Sequence, residues 1–547
     1  QKRISEFFHY STCPVCHGTR LKPELLNQLA GGLNIAQVSD LTLGELNKWK
    51  QDVLAALPSD MKKMATSLFK EFDDNLRPLL ELGLDYLTLS RNGNTLSTGE
   101  LQRIQLARTL RTQTTGVLYI LDEPSIGLHP DNITGLLNVF KELVAQGNSL
   151  VVVDHNVDII KEADWIIEIG PGSGEKGGEI LTEGTPSQIT DNPQSKIGPY
   201  LNGTAVLKSR PIANEPASQE IVFEVKDYYN LKDVQGEIPV NRLTAITGFS
   251  GAGKTSLILD SLVPAIYAQA NGAKLPSQVS KLSSPLKEVV SVDAAPIGKT
   301  NRSTVATYTS IMDNLRKLFA AQPLAKEKHY TPSYFSYNNK QGACPTCGGA
   351  GVVTLDIQFL PDMQQTCPTC GGSRYNEEVQ KVKWQGYSIV DLLKLDVRAA
   401  ISVFKEVPKI ARELQLLDEV GLGYLHLGES TPSLSGGEAQ RLKLVKHLNH
   451  NQSETLFVFD EPTIGLHPLD VKTLLAVMQQ LLDRGATIIT ITHDLNLIIN
   501  ADYMLDMGPR GGSNGGKIVA QGNPLALIQK PESLTNKYLA KYWSRFN

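Results

Sequence analysis

Residues Gly248 to Thr255 read GFSGAGKT, and their types and spacing are those of a loop that binds phosphate. The segment fits G-x-x-x-x-G-K-[ST] between the apolar run Leu243 to Thr247 and the helix-forming Ser256 to Leu259, the strand-to-helix setting this chemistry needs. Gly248, Gly251 and Gly253, with Ser250 between them, let backbone N–H groups wrap an anion, and a helix starting beside Ser256 adds partial positive charge. Lys254 then reaches the β and γ oxygens of a nucleoside triphosphate, and Thr255 ligates Mg²⁺.

Two carboxylate pairs suit the same chemistry. Asp122-Glu123 and Asp460-Glu461 each end an apolar run. The first acid can hold Mg²⁺, directly or through water, and the second can polarise an attacking water; an isolated pair of this kind would equally serve as a helix N-cap. His155 and His493 follow β-branched runs and either face the γ-phosphate or are plain turn residues. The six cysteines all lie in C-x-x-C pairs. Cys344, Cys347, Cys367 and Cys370 form C-x2-C-x19-C-x2-C, which suits one tetrahedral Zn²⁺. Around them Lys340, Arg374, Lys381 and Lys383 supply charge and Tyr375 an aromatic face, so a DNA-contacting zinc module and a purely structural one are both open. Cys13 and Cys16 make half a set, and they either ligate zinc with absent partners or stand free.

The elements that position these groups occur twice. LSTGELQRIQLAR (Leu96 to Arg108) recurs as LSGGEAQRLKLVK (Leu434 to Lys446), and LDEPSIGLHP (Leu121 to Pro130) as FDEPTIGLHP (Phe459 to Pro468). His155 recurs as His493 and Gly170-Pro171 as Gly508-Pro509, each pair 338 positions apart, so two copies of one domain are expected. The first-copy equivalents of Lys254 and of the Cys344–Cys347 pair would fall before Gln1. An N-terminally truncated tandem protein is therefore expected, the alternative being a half-site protein with one degenerate copy. Spaced apolar residues predict helices from Asp40 to about Tyr86, and Val117 to Leu121, Leu150 to Asp154, Leu456 to Phe459 and Thr487 to Thr492 read as buried parallel strands. The domains expected are the C-terminal part of a first ATPase domain at 1–202, a linker at 203–220, and a second ATPase domain at 221–547. The second holds the phosphate loop at 248–255, a zinc module at about 335–380, the LSGGE element at 434–438 and the carboxylate strand at 456–461. Strands alternating with helices make the fold α/β.

Bulk properties exclude little beyond membranes. Lys+Arg 53 against Asp+Glu 57 gives a net charge of -4, so nucleic-acid binding would need a local patch. No apolar run approaches the length of a membrane span and no signal-peptide pattern is present, which places the chain in the cytoplasm.

The doubled LSGGE-type element and strand-end Asp-Glu resemble the ATP-binding cassette superfamily. That resemblance implies tandem P-loop ATPase domains with helical signature subdomains, and a nucleotide held between the P-loop of one and the signature of the other. It pairs Lys254, Thr255, Asp460, Glu461 and His493 with Ser97 and Gly99. The reciprocal set is Ser435 and Gly437 with Asp122, Glu123 and His155. Tyr228 and Tyr229 stand where cassette ATPases stack adenine, though packing tyrosines are common there. A closer resemblance is to the UvrA family of bacterial nucleotide excision repair ATPases. It rests on CPVCHGTRLKPE, YLTLS with LSTGE and QR, DEPSIGLHP, PIGKTNRSTVATYT, FSYNNKQGACPTCGGAG and the loops at Gly170 and Gly508. It implies ATP, Mg²⁺ and Zn²⁺ as cofactors, damaged double-stranded DNA as ligand, a UvrB-like partner and a homodimer. The departures Ala294 for Gln, Thr98 for a signature Gly, and Asp154 and Thr492 for Glu imply slow or differently coupled hydrolysis, as in a short, drug-resistance-type paralogue. An ATP-gated self-protection protein with little turnover and a transporter- or ribosome-associated cassette ATPase are the alternatives.

Overall fold

Apolar, β-branched runs form the strands that carry the chemistry. The structure is a computed structural model that describes residues 12–546 apart from 97, 112–113, 173–176, 206–207, 214, 294–296, 299, 356–362, 449–450 and 530–532. In the first half β1 (Leu118–Asp122) pairs in parallel with β2 (Ser149–Val153), and β3 (Ile166–Gly170) pairs antiparallel with β4 (Glu179–Gly184). The second half contributes β5 (Glu220–Val225), β6 (Val234–Pro239), β7 (Leu243–Gly248), β8 (Val279–Ser283) and β9 (Glu288–Val292). A hairpin of β10 (Val352–Leu355) and β11 (Met363–Thr366) precedes β12 (Thr455–Asp460), β13 (Thr487–Ile491), β14 (Tyr503–Gly508) and β15 (Lys517–Gly522). Six of these make one sheet in the order β15-β14-β7-β13-β12-β9, with every neighbour parallel except β14 and β15. A separate antiparallel sheet has the order β6-β5-β8.

β7 and β13 are buried at every residue and β12 at all but Asp460, as strands covered on both faces must be. One face meets the core that joins Ile246, Phe249, Leu257 and Leu262 to Val458, Ile489 and Met507. The other packs Phe459 and Ile488 with Leu475 of the helix Pro468–Asp483 and with the helical region that includes Leu315, Phe404 and Leu417. The first half differs. Its strands alternate, with Ile120 69% and Ile169 68% exposed, which corrects the expectation of buried strands at Val117 to Leu121 and Leu150 to Asp154. The cause is topological: β7 separates β13 from β14 and its helix covers their apolar residues, whereas no strand among the described residues lies between β2 and β3.

Helices Ile35–Asp40, Leu43–Ala56 and Ser59–Glu81 occupy the region read as helical, the first two opened by reciprocal caps at Asn34/Gln37 and Thr42/Glu45. The signature elements lead into helices Thr98–Arg111 and Gly436–Val445. Ser435 is the N-cap of the latter, and its side chain and N–H exchange hydrogen bonds with Glu438, so the S-x-x-E inside LSGGE is itself a capping box. In both GLHP segments the histidine caps a long helix with Pro at its first position, His129 for Pro130–Ala145 and His467 for Pro468–Asp483. Between residues 203 and 219 the described residues form no helix or strand. The segment is nonetheless held: Arg210 bonds Asp502 (3.0 Å), Gln479 (2.9 Å) and the carbonyl of Asn500 (2.6 Å), with both charged side chains buried. No helix among the described residues is long and apolar enough to cross a membrane.

Candidate nucleotide site and zinc centre

The loop after β7 has the backbone that its glycines permit. Gly248 sits at φ 128°, and a Cβ there would lie 2.0 Å from the carbonyl oxygen of Met507. Lys254, buried at the start of the following helix, turns its Nζ back onto the carbonyls of Gly248 and Phe249, both at 3.0 Å. Burial holds its ammonium down to about 8, against the pull of Glu461, Asp506 and Asp460. Thr255 is exposed, and Ser250, Gly253 and Ser256 are half-buried around the same loop. Asn230 donates to the carbonyl of Gly251 (3.0 Å), which sets Tyr228 and Tyr229 beside the loop, the latter 77% exposed.

Asp460 ends β12 and Glu461 follows at φ 46°, a left-handed backbone uncommon for a non-glycine residue. Burial raises the Glu461 carboxyl to about 8, with Lys254 opposing, and also raises Asp460. Glu461 Oε1 lies 3.5 Å from His493 Nε2. His493 is pushed well below its ordinary value by burial and by the nearby cation of Lys254, so the ring is neutral, and its Nδ1 is buried without a partner. The first half repeats the arrangement: Glu123 at φ 49° is raised to about 7 by burial and lies 3.3 Å from His155, whose ring burial also lowers. Between the two sets runs a cleft of about 180 Å³ lined by Glu123, His155, Glu461 and His493 among others.

What faces the P-loop comes from the first half. Tyr86 donates to Glu100 Oε1 of the signature helix (2.6 Å), stands 3.1 Å from Ser250 Oγ, and lays its ring where a Cβ on Gly251 would come within 2.7 Å. Arg103 on the same helix bonds the carbonyl of Gly99 (3.0 Å), and its charge reaches His493. Gly99 itself packs beneath the carbonyl of Ile126. Ser97 and Ala294 lie outside the described residues. No hydrogen bond, ion pair or ring contact among the described residues joins Ser435 or Gly437 to Asp122, Glu123 or His155. Tyr424 bonds Glu438 as Tyr86 bonds Glu100, without a phosphate loop against it among the described residues.

The four cysteines of the second half converge. Cys344 Sγ and Cys367 Sγ are 3.9 Å apart, Cys347 Sγ and Cys370 Sγ 3.8 Å, and all four sulfurs lie within 4.8 Å of one another. A tetrahedron with metal–sulfur bonds of about 2.3 Å has edges of about 3.8 Å, so the set fits zinc. The N–H of Gly351 points at Cys347 Sγ (3.3 Å). Cys13 and Cys16 gain no third ligand among the described residues.

No family model matches the chain. The UvrABC system protein A of Mesorhizobium japonicum is 42% identical over 550 residues, 100% of this chain and 56% of that protein. The protein of the same name from Thermus thermophilus is 43% identical over 547 residues, 99% and 57% respectively. The crystal structure of UvrA2 from Deinococcus radiodurans is similar with a TM-score of 0.90 and 39% identity, over 99% of this chain and 67% of that one. The chain belongs to the UvrA family. It spans a little over half the length of these curated relatives. Its fold is that of tandem ABC-type ATPase domains with a four-cysteine module compatible with zinc.

In this UvrA-family chain the basic residues expected near the zinc centre are partly paired. Lys381 pairs with Glu378, Lys383 with Asp391 (3.2 Å), and Arg374 bonds the carbonyl of Gly428 (2.9 Å); Lys340 stands exposed. Tyr375 offers no aromatic face: it is 1% exposed and donates to the carbonyl of Phe335, a correction with a plain cause, since its ring fills the module's core. Sequence reading passed over Tyr86, Arg103 and His129 as site residues. The signal was present, because each recurs 338 positions later as Tyr424, Arg441 and His467.

Proposed function

We propose that this chain is an ATP-hydrolysing clamp of the UvrA kind, in which nucleotide bound between its halves governs engagement of damaged double-stranded DNA in nucleotide excision repair. The observation that carries the reading is the contact of Tyr86, held by Glu100 of the first half's signature helix, with Ser250 and Gly251 of the second half's phosphate loop. The loop glycines and Lys254 receive the phosphates, and Ser97 and Gly99 close the site from across the interface. Glu461 takes a proton from the attacking water, and His493 faces the γ-phosphate from its free Nδ1. Thr255 and Asp460 would hold Mg²⁺, which supplies charge neutralisation on the phosphate oxygens. Cys344, Cys347, Cys367 and Cys370 would hold a zinc that stiffens the β10–β11 hairpin. The relatives' name, UvrABC system protein A, supports a UvrB-like partner, and damaged DNA as ligand, a homodimer and a cytoplasmic site of action belong to the same proposal. Asp122, Glu123 and His155 belong with Ser435 and Gly437 in a second site of the same design.

One observation favours slow turnover. Burial raises the Glu461 carboxyl in the nucleotide-free protein, which makes it a sparing base, and a tightly held, slowly hydrolysed nucleotide is the second reading. Both are tested by ATP binding and turnover with and without damaged duplex DNA. Lys254→Ala should weaken ATP binding at least about a hundredfold, the loss of a buried charge-assisted contact to phosphate. Undiminished binding in that variant would refute the assignment, and DNA-independent turnover would refute the gating.

A further inference from the structure

Both halves end in one recurring contact that the nucleotide chemistry leaves unused. In the first half Glu168 on β3 accepts from Ser195 Oγ (2.6 Å) and from the N–H groups of Lys196 (2.7 Å) and Ile197 (3.1 Å), which open the helix Gly198–Asn202. In the second, Asp506 on β14 accepts from Thr535 Oγ1 (2.8 Å) and from the Ser533 side chain at the start of the helix Leu534–Trp543. Glu168 and Asp506 are 338 positions apart, as are Tyr200 and Tyr538 on the two helices. Each tyrosine lies edge-on to the capping histidine of the opposite half, Tyr200 to His467 at 6.4 Å and Tyr538 to His129 at 5.8 Å. Simple helix capping explains either carboxylate alone. It does not explain why both capped helices lie on the other half's histidine.

The half that carries the phosphate loop adds two bonds. Thr247, next to Gly248, donates to the same Asp506 Oδ1 at 2.7 Å, and Thr535 Oγ1 lies 3.3 Å from His129 Nε2. The equivalent of Thr535 in the first half is Ile197, which has no such hydroxyl. Thr247, Asp506, Thr535 and His129 are each at most 3% exposed. Their polarity is self-consistent. The hydroxyls of Thr247 and Thr535 spend their protons on Asp506, so Thr535 accepts from His129 Nε2–H, while His129 Nδ1 accepts the N–H of Asp131 (3.2 Å). His129 also touches Phe249 of the loop and His493, with ring centroids at 5.3 and 5.8 Å.

We propose that Asp506 and Thr535 are positioning residues that relay the state of the phosphate loop to His129 across the interface, an inference that rests on the nucleotide-site reading above. A buried chain with every member paired has no slack. When phosphate fills the loop and Thr247 shifts, Asp506 must follow or lose a bond, and Thr535 and His129 follow for the same reason. His129 caps the helix Pro130–Ala145, so the shift is delivered to the first half's framework.

Hydrogen exchange of the whole chain, with and without ATP and Mg²⁺, tests this in the unaltered protein, Thr535→Val and Thr535→Ser. Nucleotide should protect residues 248–257 in all three with affinity changed less than about threefold, since Thr535 touches no phosphate-binding group. It should change exchange at residues 129–136 about fivefold or more in the unaltered protein and in Thr535→Ser, and less than about twofold in Thr535→Val. An unchanged response in Thr535→Val overturns the relay, and so does an equal loss in Thr535→Val and Thr535→Ser, which would mark a packing effect. No protection at 248–257 in the unaltered protein would instead overturn the nucleotide-site reading, and the relay with it.

Discussion

Tyr86→Phe removes one hydroxyl and keeps the ring that covers Gly251. That hydroxyl donates to Glu100 at 2.6 Å, so the bond to Ser250 at 3.1 Å must be donated by Ser250. The bond to the carboxylate contributes about 2 kcal/mol and the neutral one about 1 kcal/mol. Glu100 is 6% exposed, and Arg91 approaches it at 3.5 Å. The expected cost is therefore about 2–3 kcal/mol for Tyr86→Phe and about 1 kcal/mol for Ser250→Ala, with a coupling energy of about 1 kcal/mol between them. Urea unfolding of the unaltered chain, both single variants and the double variant, followed by circular dichroism and tryptophan fluorescence, gives all three numbers. A cost below about 0.5 kcal/mol for Tyr86→Phe, or additive effects, would show that the first half does not grip the phosphate loop through this hydroxyl. The composite site would then lose its main support.

Burial lifts the carboxyls of Glu461 to about 8 and Glu123 to about 7, from an ordinary 4.5, so the fold prefers them protonated. Their contribution to stability is complete below pH 4.5 and is lost as pH rises through about 7 to about 8; Glu461→Gln should flatten the fall in Tm of the nucleotide-free protein across that window, and an unaltered slope would place the titration elsewhere. Turnover should move the other way, climbing through about pH 8 as Glu461 ionises, and a flat pH–rate profile would remove it as the base. Cys367→Ser should lower bound zinc from about one per chain to below about 0.2, while Cys13→Ser leaves it unchanged; metal analysis showing equal loss from both would break up the four-cysteine centre.

The chemistry-bearing strands and loops were legible because each is local. GFSGAGKT between an apolar run and a helix, the strand-end Asp-Glu pairs and the C-x2-C spacing all lie within short windows, and the 338-residue repeat tied them together. Interface residues were harder to read. Tyr86 follows an ordinary helix and His129 looks like a helix cap, which it also is; its second task depends on Phe249, Thr535 and His493, all more than a hundred residues away. Tyr375 misled for the opposite reason, since a tyrosine beside arginine and lysines reads as a stacking surface until its neighbours Tyr337 and Phe335 are seen around it. Exposure of β1 and β2 was equally hidden, because alternation of burial depends on what lies over a strand and not on its own β-branched residues.

Arg210 gives the segment between the halves a mechanical meaning. Pinned to Asp502 and Asn500 at the foot of the strands beside the phosphate loop, it leaves no more than the stretch from residue 203 to residue 210 to bridge the two halves. Fully extended, that stretch reaches about 25 Å. While the Arg210 contacts last, that reach bounds any separation of the halves, and each stays in the other's neighbourhood at an effective concentration of about a millimolar.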